Sequence, residues 1–73
     1  MIKGDILDLE EFTGQKFEHN LVDKNLPLEA QGLIDSLTAL QFIIFLEKKY
    51  SLRLTRTQIS TITVYQDLID LFN

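Results

Sequence analysis

Seventy-three residues, 45% of them apolar and with five Phe and two Tyr, make one small domain with a thin core, able to bury about 60% of the surface its unfolded chain exposes. The absence of cysteine and the presence of a single histidine, His19, exclude disulfide staples, thiolate zinc sites, a cysteine nucleophile and a metal site built on several imidazoles. The net charge of −4 is concentrated in residues 1–35, and no basic surface large enough for nucleic acid is left over.

No apolar run approaches the roughly 20 residues that span a bilayer. Met1–Asp5 lacks the long apolar stretch and small-residue cleavage site of a signal peptide. A soluble, cytoplasmic protein without membrane insertion is expected. Period-two alternation and hairpin dipeptides are missing, so the expected fold is all-α.

Ile2, Ile6, Leu9 and Phe12 repeat at helical spacing with acids between them, which predicts a first helix over about 2–13. Asp8 and Glu11 read as part of its solvated face, and Gly14 as its left-handed stop. Residues 14–35 have no clean period and hold His19, Asn20, Asn25, Pro27 and Gly32. A loop of that length with many apolar residues is expected to pack across the helices. Ser36–Tyr50 is the strongest helix, with Asp35 and Ser36 as candidate caps and Lys48 and Lys49 at the end where cations suit the dipole. Thr55 with Gln58, and Thr63 with Gln66, have capping-box spacing and predict a short helix over about 56–61 and a last one over about 63–72. The expected core includes Phe42, Ile43, Leu46, Ile62, Val64, Leu68 and Ile69.

On a helical wheel Ala39, Phe42, Ile43, Leu46 and Tyr50 share a sector of about 100°. The opposite side carries Leu37, Ile44 and Phe45, with Leu40 on the boundary. A domain of three main helices can hardly surround one of its own. Phe45 and Leu40 could be covered by the long loop, whereas Leu37 and Ile44 suggest a docking surface.

Nothing points to catalysis. Ser36 has no obvious base, His19 sits in an irregular segment, the acids form no singled-out pair, and no glycine-rich phosphate loop exists. One constellation remains, Gly32-Leu33-Ile34-Asp35-Ser36-Leu37 at a loop-to-helix junction. Its simplest reading is a turn followed by a cap. A serine there is also well placed for a phosphate-linked group, because a helix N-terminus offers unpaired N–H groups and a positive dipole end.

That hexapeptide resembles the Asp-Ser-Leu attachment motif of acyl carrier proteins, and the resemblance runs along almost the whole chain. Leu26-Pro27-Leu28-Glu29-Ala30-Gln31 is similar to the family's lead-in loop, and Leu40 through Tyr50 to its second helix. Leu52-Arg53-Leu54 is similar to the short stretch that follows, and Ile62 through Leu68 to the closing Thr-Val helix. The resemblance implies a single carrier domain, 1–73, folded as a small bundle of three main helices plus one short helix. It implies a carrier without enzymatic activity of its own and with no catalytic or metal-binding residues. 4′-Phosphopantetheine, taken from coenzyme A by a phosphopantetheinyl transferase, would be attached to Ser36, with Asp35 aiding recognition of the motif. Its thiol would hold an acyl or aminoacyl group as a thioester.

The implied partners are an acyl- or aminoacyl-loading ligase and a downstream acyltransferase or synthase, met through a docking face of Leu37, Leu40, Gln41, Ile44 and Lys48. A monomer is expected. The scarcity of acids on that face and the Gly-x-x-Asp-Ser spacing resemble specialised stand-alone carriers, D-alanyl, aminoacyl or secondary-metabolism types, more than the fatty-acid carrier. The rings of Phe42 and Phe45 suggest little internal room for cargo. The competing reading is a helical interaction module without modification, in which Ser36 is only a helix cap.

Overall fold

In the computed structural model, which describes residues 2–73, the first helix, α1, spans Ile6–Thr13 and not the predicted 2–13. Gly4 accounts for the late start. Its φ of 81° is left-handed, so helical geometry does not pass through it, and Asp5 becomes the N-cap. Ile2 falls outside the helix and is half exposed. A β-carbon on residue 4 would lie 3.1 Å from Leu68 and 3.4 Å from Leu46, so glycine serves both the turn and the close approach to the core. Gly14 ends α1 as expected, its N–H donating to the Glu10 carbonyl at 2.8 Å.

The long helix α2 occupies Ser36–Tyr50, the predicted bounds. Helix α3, Arg56–Ser60, opens on the reciprocal cap read from the sequence: Gln58 N–H donates to Thr55 Oγ1 at 3.1 Å, and Thr55 N–H to Gln58 Oε1 at 2.8 Å.

Helix α4, Tyr65–Phe72, begins two residues later than expected. Val64 is its N-cap and offers no side-chain acceptor. The Asp67 carboxylate takes over, accepting from Thr63 N–H at 3.1 Å, Thr63 O–H at 2.7 Å and Val64 N–H at 3.2 Å. The next two orphan N–H groups, of Tyr65 and Gln66, donate to the carbonyls of Leu26 at 3.1 Å and Lys24 at 2.8 Å. The predicted Thr63–Gln66 box gives way because the long loop supplies better acceptors.

The architecture is a small all-helical bundle, three longer helices and one short one, with no strand among the described residues. Its radius of gyration of 11.2 Å is that of a compact chain of this length. Among the described residues no helix is long and apolar enough to cross a membrane. The core gathers Ile6, Leu9, Leu28, Phe42, Ile43, Leu46, Tyr65, Leu68, Ile69 and Phe72. Each large aliphatic or aromatic side chain buried there contributes about 1.5–3 kcal/mol. Ile62 and Val64, expected inside, are only half buried at the core's edge.

Residues 14–35 do pack across the helices. They form single 3₁₀ turns at His19–Leu21 and Glu29–Gln31. Leu28 is buried, and Phe17, Val22, Leu33 and Ile34 lean on the core. Gln31 clasps the loop, accepting from Asp23 N–H at 2.8 Å and donating to the Asp23 carbonyl at 2.6 Å. Phe45 has cover from α1: Phe12 lies 5.4 Å from both Phe42 and Phe45, ring centre to ring centre.

Asp8 departs most from expectation. It is not solvated but fully buried. Its carboxylate accepts from Gly4 N–H at 2.8 Å, Tyr50 O–H at 2.7 Å and Lys49 Nζ at 2.6 Å. Lys49 also reaches Glu11 at 2.6 Å. The network ties α1 to the last turn of α2. Burial by itself pushes the Asp8 carboxyl up, but the hydrogen bonds from Lys49, Tyr50 and Gly4 together outweigh it and hold the group below its ordinary value. The unfolded chain therefore takes up this proton more readily than the folded one. The stabilisation is complete above pH of about 4 and fades as pH falls through the lower folded value.

Asp8→Ala leaves the Gly4 N–H and the Tyr50 hydroxyl without their acceptor. It should lower the unfolding free energy by about 2–3 kcal/mol at neutral pH in urea melts. The gap between variant and parent should narrow as the pH is taken below about 4.

Candidate functional site

The junction that leads into α2 is built in three steps. The 3₁₀ turn Glu29–Gln31 ends on Gly32, whose φ of 74° is left-handed. No atom lies within 4 Å of where its β-carbon would be, so the backbone conformation and not crowding calls for glycine. Leu33 and Ile34 then tuck against the core. Asp35, extended at φ −86° and ψ 173°, is the N-cap, and its side chain accepts from Thr38 N–H at 2.7 Å. That hydrogen bond is the main reason its carboxyl is held below the ordinary aspartate value.

Capping is thus the work of Asp35 alone. Ser36 stands one position inside the helix, exposed, and the Asp35 carboxylate and carbonyl accept, past it, from the N–H groups of Thr38 and Ala39. Its hydroxyl has no partner among the described residues. The reading of Ser36 as a second cap does not hold.

The predicted docking residues come together. Leu37, Leu40, Gln41, Ile44 and Lys48 all lie exposed on α2 within an arc of about 100°. Leu37 is 67% exposed, Leu40 46% and Ile44 44%. Leu40, which the loop could have covered, is uncovered. Glu47, the nearest acid along this face, is turned away to accept from Leu54 N–H at 3.0 Å.

Ser36, Ala39, Leu40 and Ile43 are spaced i, i+3, i+4 and i+7, a single stripe of α2. That stripe forms one wall of a cleft of about 210 Å³. Pro27, Leu28 and Glu29 of the long loop, Ile59 of α3, Ile62, Thr63 and Val64, and Tyr65 and Leu68 of α4 complete it. The expectation of little internal room fails for a specific reason. Phe42 and Phe45 stack on each other and pack at a tilt against Phe12 on the α1 side of α2, and neither is among the residues lining the cleft.

The cleft was not read from the sequence, and neither was Tyr65 within it. The one available signal was the half-apolar stretch Ile59–Tyr65, which has more large side chains than a short helix can bury. His19, exposed in its 3₁₀ turn, lies 3.3 Å from Glu10 and far from any cluster. No group of three or more His, Cys, Asp or Glu suited to a metal ion occurs among the described residues. Comparison with protein-family models, curated proteins and solved structures found no match.

The division of labour between Asp35 and Ser36 is measurable. Asp35→Ala should cost about 1 kcal/mol of stability through the lost cap. Ser36→Ala should stay within about 0.5 kcal/mol of the parent. Denaturant melts of the two variants check both.

Proposed function

We propose that the chain is a carrier protein of the acyl-carrier type, which holds an acyl or aminoacyl group on a 4′-phosphopantetheine arm at Ser36 and presents it to partner enzymes. The observation that carries this reading is the free hydroxyl of Ser36. It is exposed, spared from capping by Asp35, and placed at the rim of an apolar cleft. The resemblance of Gly32 through Leu37 to the carrier attachment motif supports the same residue.

The residues present suit such a group. When bound, the arm supplies a thiol on which a carried group is held as a thioester. Ser36 provides the anchoring oxygen at the positive end of α2. Asp35 fixes where the helix starts, and so where that oxygen points, while its own charge opposes the dipole. The cleft offers a mostly apolar resting place. An apolar cavity of about 150 Å³ takes up benzene, so this one has room for roughly eight non-hydrogen atoms. Leu37, Leu40, Gln41, Ile44 and Lys48 give partners an apolar face with a basic end. Acid-poor as it is, that face suits partners that do not depend on basic docking patches. The proposed setting is a cytoplasmic monomer served by a phosphopantetheinyl transferase, a loading ligase and a downstream acyltransferase or synthase.

A second reading is favoured by the three large apolar side chains exposed along α2: an interaction module that needs no modification. Intact mass distinguishes the two. After incubation with coenzyme A, magnesium and a permissive phosphopantetheinyl transferase, the parent should gain one phosphopantetheinyl increment and Ser36→Ala none. No gain with several transferases leaves the module in its place. On the loaded protein, Ile44→Asp should slow transfer to a cognate enzyme about tenfold or more, at unchanged thermal stability, because it puts a charge in the middle of the apolar face. Unchanged rates with every partner would remove that face from the docking surface.

A further inference from the structure

Every Lys and Arg beyond residue 35 falls in one stretch, as Lys48, Lys49, Arg53 and Arg56. Lys49 is committed, 2.6 Å from both Asp8 and Glu11. Lys48, Arg53 and Arg56 are exposed and form no ion pair among the described residues. Lys48 and Arg53 share a shallow surface depression with Ile44, Glu47, Ser51 and Leu52. The turn after α2 creates it. Ser51 is left-handed at φ 54°, and the Glu47 carbonyl accepts from the N–H groups of Ser51 and, at 2.9 Å, Leu52. The Glu47 carboxylate fastens the next residues by accepting from Leu54 N–H at 3.0 Å. The chain thus doubles back and sets Leu52 and Arg53 beside Ile44 and Lys48. With Glu47 counted, the depression has a net charge of +1 on a molecule of −4.

Ile44 belongs both to this depression and to the exposed arc of Leu37, Leu40 and Gln41. The two make one continuous surface, aliphatic toward Ser36 and cationic toward Arg53. We propose that this surface takes a partner protein whose contact residues run from aliphatic, opposite Leu37 to Ile44, to carboxylate, opposite Lys48 and Arg53. The inference deepens the docking face of the carrier reading and rests on that reading only for the partner's being an enzyme. A small anion would gain nothing from the aliphatic part. A basic partner would be steered toward residues 1–35, which hold eight acids against three lysines, and away from this face. Carboxylates are drawn to the one end where the sign of the local charge reverses. Exposed pairs of this kind add little affinity. Their work is orientation: they decide which way round the partner lies along α2, and so how it meets the Ser36 end.

Two synthetic helical peptides with the same leucine stripe test this on the unmodified protein, one ending in three glutamates and the other in three lysines. Amide shifts of residues 37–53 in NMR titrations report the affinity of each at this surface. The glutamate peptide should bind about three- to tenfold tighter at low salt. The advantage should shrink below about twofold at about 0.5 M salt. Lys48→Gln with Arg53→Gln should abolish the preference, and Lys48→Glu with Arg53→Glu should reverse it, at an unchanged melting temperature. Equal affinities, a preference for lysine, or an advantage that these exchanges leave intact overturns the proposal. So does a set of shifts produced by phosphatidylglycerol vesicles and not by the glutamate peptide, which would make the face a lipid contact, and so does the absence of any response to either peptide. The comparison on the parent is decisive whether or not the variants fold.

The peptides need no arm, so the two readings fail separately. If Ser36 accepts no phosphopantetheine, the carrier reading falls while the titrations still decide what this surface prefers. If Ser36 loads and the peptides bind alike, the acidic partner falls alone.

Discussion

The constraint that organises this molecule is a central helix with apolar residues on every side in a chain too short to enclose it. Each sector of α2 has to find its own cover. Phe12 of α1 takes Phe42 and Phe45, and α4 packs on Ile43 and Leu46 through the common core. Leu28 reaches in from the long loop to the same core. What remains is the arc from Leu37 to Lys48, left open, and the stripe from Ser36 to Ile43, only loosely covered by α3 and the residues after it. Both features of the candidate site are therefore what is left over when the supply of covering side chains runs out.

Holding α2 in that position depends on Asp8. The aromatic packing between α1 and α2 is non-directional and would tolerate a helix sliding along its axis. The Asp8 carboxylate does not tolerate it, because three donors, Gly4 before α1 and Lys49 and Tyr50 of α2, must converge on two oxygens. Lys49 and Tyr50 belong to the far end of α2 from Ser36, so α1 anchors the end opposite the site. The site end is held instead by Asp35 and by the turn at Gly32. Rigidity at one end and local capping at the other leave the Ser36 end of the helix accessible while the fold as a whole stays fixed.

Much of this was legible from sequence, and the boundary between what was and what was not is a physical one. Contacts between residues three or four apart could be read: the bounds of α2, the cap of Thr55 with Gln58, the stop at Gly14, the exposed arc from Leu37 to Lys48. Features decided by residues far apart could not. Asp8 follows Asp5 and precedes Glu10 and Glu11, and its acidity suggested solvent. Its position four residues before Phe12 placed it at the edge of the buried face, and only Lys49 and Tyr50, some forty residues on, make burial affordable. The start of α4 moved because the carbonyls of Lys24 and Leu26 arrive from the other end of the chain. The cleft depended on which side of α2 the phenylalanines chose, and Phe12 made that choice.

Asp8 and Tyr65 are a natural contrast, two polar side chains removed from water in the same small core. For Asp8 the low-dielectric surroundings strengthen every hydrogen bond it accepts, and a fully satisfied carboxylate fixes the packing of two helices. For Tyr65 the same surroundings act in the opposite sense, since an unpaired donor loses its water and gains nothing. A domain of this size has a total stability of only several kcal/mol, so an unpaired hydroxyl of about 1–3 kcal/mol is a large share of it. The fold carries this cost in the core toward α1, where the charges of Asp5 and Asp8 act on the same hydroxyl.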